Sequence, residues 1–177
     1  MIQRKQTVFL LLAALLLVMC FMFPIASFKG SAPLGVPVTG DLNLVAKDVP
    51  ETMSQILNGE PVVMGQRGFV NVWPLMVITI VVAAIALVSI FLYKNRVVQM
   101  RVVAVGFLLS VLNVFLVFIW AVDAFVDKAS AAMACTEVKV TYGVSTWAMI
   151  AAAVLMLLAQ RSIKKDEEKV RAADRLR

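Results

Sequence analysis

The residues that could do chemistry are few in this sequence, and their types exclude more than they offer. None of the 177 residues is a histidine, so a histidine-based triad, a bis-histidine haem site and a histidine-ligated zinc site cannot be assembled. Cysteine occurs twice, Cys20 inside an apolar run and Cys135 in a polar connection. Thiols held at different depths cannot reach disulfide geometry, and neither belongs to a metal-type spacing. No GxSxG, P-loop or GxGxxG pattern occurs. The glycines between Gly35 and Gly40 lie among prolines and read as turn chemistry. The expectation is a protein with no enzyme active site, no metal and no cofactor.

Two sets of polar residues remain. Asn113 falls within a long apolar stretch, where an amide seeks a partner on another helix; a packing contact and a substrate role compete for it. Thr79, Ser89, Ser110, Ser145 and Thr146 are the other polar residues expected to be buried in such stretches. The second set is charged or amidic and sits at the ends of the apolar runs: Arg4, Lys94, Asn95, Arg96, Arg101, Asp166, Asp174 and Arg175. If those ends meet on one side of a membrane, these residues form a candidate interaction face.

The elements that must position them are membrane spans. Only 16% of residues are charged, against about 25% in soluble domains, and the charges cluster. Crossing a hydrocarbon core of about 30 Å takes about 20 helical residues. The charge-free windows Gln6–Phe28, Gly68–Tyr93, Val102–Val122 and Val140–Gln160 meet that length. They predict spans at about 6–28, 70–93, 102–123 and 142–160. Helix is expected because backbone groups in lipid must bond within the segment, and the runs lack the alternation of a barrel strand. A signal peptide is the rival for the first window, given Arg4, Lys5 and the small residues Gly30-Ser31-Ala32. Its apolar run exceeds a signal core, so a retained helix is expected. Val18 and Met19 are too bulky for a lipid-attachment box before Cys20.

Orientation follows from the 17 lysines and arginines. Four spans put the N-terminus, the middle connection and the C-terminus on one side, and that side holds all of the basic residues except Lys29, Lys47, Arg67, Lys128 and Lys139. Basic residues concentrate on the cytoplasmic side. Their place beside apolar runs assigns the net charge of +6 to topology and anionic headgroups and not to nucleic acid. Trp73, Tyr93, Trp120 and Trp147 lie near span ends, as interfacial aromatics do.

The outer loops are then 29–69 and 124–141, and the cytoplasmic tail is 161–177. Prolines 33, 37, 50 and 61 exclude long helices from the first loop. Strand-like pieces occur at Leu34–Val38, Val62–Met64 and Glu137–Tyr142; a small extracytoplasmic sheet and a pair of irregular loops both remain open. The tail reads as a continuation of the fourth helix, with Lys164/Glu168 and Glu167/Arg171 spaced i,i+4. A solvated end and a helix lying on headgroups or a partner are both compatible with its thin apolar stripe. Small residues at Ala83, Ala84, Ala86, Gly106, Ser110, Ala148 and Ala152 permit close helix approach, within a bundle or between copies.

Three stretches carry a likeness beyond composition. They are Met1-Ile2-Gln3-Arg4-Lys5-Gln6 with Leu11-Leu12-Ala13, then Phe91-Leu92-Tyr93-Lys94-Asn95-Arg96 with Gln99-Met100-Arg101. The third is Lys164-Lys165-Asp166-Glu167 followed by Val170-Arg171-Ala172-Ala173-Asp174-Arg175-Leu176-Arg177. In this order they resemble the domain-of-unknown-function 4293 family, small four-span inner-membrane proteins of certain Gram-negative bacteria. Lys5 and Ala172-Ala173 depart from the commoner family residues, and the outer loops carry little of the likeness. The resemblance implies topology and a bacterial inner membrane, and no activity.

The resulting expectation is an all-α membrane protein forming a single integral domain, 1–177: a four-transmembrane-helix bundle with both termini cytoplasmic. Its expected role is that of a non-enzymatic scaffold or complex subunit, with membrane lipid and other membrane proteins or a second copy as partners. A small transporter, a lipid-handling protein or an oligomeric pore is the alternative. Each needs a polar cavity, which only Asn113 and a few hydroxyls could line.

Overall fold

A computed structural model describes residues 3–31, 37–45, 62–64, 71–133 and 138–175. Among the described residues, five α-helices and four strands follow in the order α1 Gln3–Met19, β1 Ala26–Ser31, β2 Pro37–Leu42, β3 Val62–Met64, α2 Trp73–Phe91, α3 Arg96–Leu116, α4 Val122–Met133, β4 Val138–Tyr142 and α5 Val144–Arg175. A 3-10 turn, Leu92–Lys94, follows α2, and a π-helical turn, Val117–Ala121, joins α3 to α4 without a break. Three stretches are long and apolar enough to cross a membrane: Trp73–Phe91, Arg96–Asp127 and Val144–Val170. The first apolar helix, Gln6–Met19, is shorter.

That last point corrects the expected span at 6–28. The helix stops at Met19, a turn follows, and Phe28 belongs to β1. Pro24 accounts for the change, since it has no N–H to donate and biases the preceding residue toward extended backbone. A second correction concerns the supposed loop 124–141, much of which is helix α4. Charges end an apolar window but do not end a helix. Asp123 and Asp127 lie one turn apart on the exposed side of α4, while Val122 and Phe125 are buried. For the same reason α3 begins at Arg96, ahead of 102, and α5 runs unbroken through the charged tail to Arg175.

The chain divides into two compact units. The first comprises Met1–Val18, Ile78–Asn113 and Ala148–Arg177. Its core is a cluster of Ala13, Ala14, Leu17, Val82, Ala83, Ala86, Ala152 and Met156. The small residues thus let α1, α2 and α5 approach within one chain. Gly106 does the same for α3: a Cβ there would overlap the tip of Met156 and come 2.8 Å from Ile85 Cγ2. A second cluster, Leu10, Val103, Ala159 and Ile163, joins α1, α3 and α5.

The second unit comprises Met19–Val77 and Val114–Trp147. It holds a four-stranded sheet of order β3-β2-β1-β4. β1 is antiparallel to both neighbours, with Lys29 opposite Thr39 on β2 and Lys139 on β4, while β3 joins β2 in parallel. The two long connections therefore do share a sheet. The expected strand Leu34–Val38 shifts to Pro37–Leu42, and residues 32–36 lie outside the described ones. Alternation along β1 sets its faces: Ala26 and Phe28 are buried, Lys29 is exposed, and Phe28 stacks on Phe125 with ring centroids 4.3 Å apart.

Candidate functional site

Among the expected face residues, the α2–α3 connection is described best. Ser89 and Gln99 hold its geometry. Gln99 Nε2 donates to the Ser89 carbonyl at 2.9 Å, so the end of α2 gains a partner that the helix itself cannot supply. The Ser89 hydroxyl donates back to Ile85 O at 2.7 Å. The Asn95 N–H closes the 3-10 turn on Leu92 O, and the Gln99 N–H bonds Asn95 O. This presents Asn95 and Arg101 as exposed and Arg96 as half-buried. The side chains of Arg4, Lys94, Asp174 and Arg175 lie outside the described residues.

Asp166 is half-buried on α5 and accepts a hydrogen bond from Gln6 Nε2 on α1. The contact ties the start of the first helix to the charged extension of the last. Gln6 and Gln99 were absent from the expected site. Each stands beside basic residues at the edge of an apolar run, and nothing in its neighbours says which helix end its amide reaches.

Asn113 is buried on α3, and its Nδ2 donates to Thr79 Oγ1 on α2 at 2.8 Å. Its Oδ1 is buried with no hydrogen-bond partner among the described residues. Beside it, the Ser110 hydroxyl contacts Met156 Sδ at 3.4 Å.

In the second unit the polar contacts converge on the backbone that follows α1. The Ser145 hydroxyl bonds the Phe23 carbonyl at 2.6 Å and approaches the Cys20 carbonyl at 3.3 Å, and the Thr146 hydroxyl donates to Ile25 O at 2.8 Å. The Gly143 N–H also reaches Ile25 O, at 2.6 Å. Cys20 is a buried thiol that contacts Ser145 O at 3.5 Å; Cys135 lies outside the described residues. A Cβ at residue 143 would overlap the Pro24 carbonyl oxygen, so only glycine fits this approach. Among the described residues no group of three or more metal-ligating side chains comes together.

Long apolar helices, outward-facing valines, leucines and tryptophans, and polar side chains turned onto one another define a helical membrane protein carrying a small sheet. The chain belongs to the family described as domain of unknown function DUF4293, whose sequence pattern matches residues 2–176. No curated protein and no solved structure matches it.

Proposed function

We propose that this chain is a non-enzymatic scaffold or complex subunit of a bacterial inner membrane, crossing it four times with both termini cytoplasmic. The supporting observation is the cluster of Leu10, Val103, Ala159 and Ile163 together with the Gln6–Asp166 bond. These contacts bring the start of α1, the start of α3 and the charged part of α5 to one end of the first unit. Most of the basic residues belong to that end, and such an excess marks the cytoplasmic side. Helix α1 has 17 residues and reaches about 26 Å, short enough to require local thinning of the bilayer or anchoring by its flanks. Reporter fusions at Arg177 and near Gly59 are expected to score on opposite sides; an extracytoplasmic signal from Arg177 overturns the topology.

The interaction face is assigned to Arg4, Lys94, Asn95, Arg96, Arg101, Asp166, Asp174 and Arg175. An exposed ion pair contributes only about 0–1 kcal/mol, so stability alone is a weak reason to gather these charges. A protein partner docking there, or the tail latching onto the bundle, explains them better. Reversing Asp174 is expected to reduce co-purification of partners in mild detergent, whereas reversing Asp41 on β2 leaves it unchanged. Equal effects at the two sites reduce the face to a topology signal. A transport path would need unengaged polar groups between the helices. Among the described residues, Asn113 Oδ1 is the one buried side-chain acceptor left in that state.

A further inference from the structure

The exposed face of the sheet carries an arrangement that the scaffold reading leaves unused. Residues directly opposite one another share a face, so the strand register lays out a grid of six side chains. One row reads Thr39, Lys29, Lys139 and the next reads Asp41, Ser27, Thr141, each across β2, β1 and β4. On β1 and β2 the opposite face holds Ala26, Phe28 and Leu42, which are buried. Lys29 and Lys139 therefore stand side by side in the register that sets Val140 opposite the buried Phe28. Slipping β4 by one residue would separate the lysines but put Lys139 on the Phe28 face and turn Val140 away from it.

Like charges directly opposite in a ladder are destabilising. Both ammonium groups are exposed, and neither has an acidic partner among the described residues. Asp41 is the one carboxylate of the grid, and it stands diagonally from Lys29 and two strands away from Lys139. The hydroxyls of Thr39, Ser27 and Thr141 surround the pair with further donors. Two adjacent cations ringed by hydroxyls suit a tetrahedral oxyanion, which accepts several hydrogen bonds at once.

We infer that Lys29 and Lys139 form a binding site for a phosphate group, carried by a lipid headgroup or by a small phosphorylated molecule. The inference is independent of the scaffold role and of which side the sheet faces. It is tested on the full-length protein by thermal unfolding in two arms. One arm titrates inorganic phosphate against chloride at constant ionic strength in neutral detergent; the other compares nanodiscs of phosphatidylglycerol with nanodiscs of phosphatidylcholine. The native chain is expected to be stabilised in at least one arm, by phosphate for a free ligand or by phosphatidylglycerol alone for a headgroup. Lys139→Gln should weaken the apparent affinity by up to about fivefold, the range of one exposed ion pair. Lys139→Glu should raise the melting temperature without ligand, by pairing with Lys29, and abolish the response. Lys165→Glu, on α5 outside the sheet, should retain it. No response of the native chain in either arm, or an undiminished response in Lys139→Glu, overturns the site.

Discussion

The two units meet the same requirement in opposite ways. In the first unit the helices satisfy most of their own backbone and the buried polar side chains mainly join one helix to another, as Asn113 does with Thr79 and Gln6 with Asp166; Gln99 meets a single helix-end carbonyl, that of Ser89. In the second unit the chain leaves the helix at Met19, and hydroxyls from the start of α5 satisfy the carbonyls of Cys20, Phe23 and Ile25. A side-chain pair can be deleted together with its need for a partner, but a backbone carbonyl cannot. Losses in the second unit should therefore be larger and harder to compensate.

The largest expected effect is at Gly143. Alanine there must displace the Pro24 backbone, and a cost of about 3 kcal/mol is expected from overpacking. Denaturation of the purified chain in detergent would measure it, and a loss below that of Ser145→Ala would show the junction to be compliant. Ser145→Ala is expected next, at about 2 kcal/mol, because a buried carbonyl loses its donor. If the melting temperature is unmoved, water replaces the hydroxyl and the contrast between the units weakens. The smallest effect belongs to the first unit. Thr79→Val should cost about 1 kcal/mol by leaving Asn113 without its acceptor, while Thr79→Val with Asn113→Leu should fall near the native stability. A double-mutant cycle should return a coupling of about 0.6 kcal/mol, the mean for membrane helices; a coupling of several times that would erase the distinction.

The sequence made the helical parts legible and concealed the junctions. Runs without charge located the cores of α2, α3 and α5, because lipid and a helix interior select the same side chains. The alternation at Val138–Tyr142 and the short run Val62–Met64 marked strands that the structure contains. The stop at Met19 had a local signal in Pro24, but the donors that make it tolerable lie on Ser145 and Thr146, more than a hundred residues away. Helix α4 was hidden because Asp123 and Asp127 end an apolar window while lying on the exposed side of a continuing helix. Of the candidate face, the charges could be named in advance, but Gln6 and Gln99 could not, since their importance lies in which helix end each one reaches.

The junction after α1 also has a consequence in time. Thr146 and Ile25 stand 121 residues apart in the chain, and synthesis proceeds at about 5–20 residues per second. For roughly 6 to 24 seconds after Ile25 is made, the carbonyls from Cys20 to Ile25 have no Ser145 or Thr146 to bond. During that interval they must keep water as their partner, which holds this end of the nascent hairpin at an aqueous surface. β1 can pair with β2 early, but its other edge waits for β4, made only after α2, α3 and α4. The arrival of α5 releases that water and adds the last strand within a few residues of synthesis, so the second unit closes as one late event.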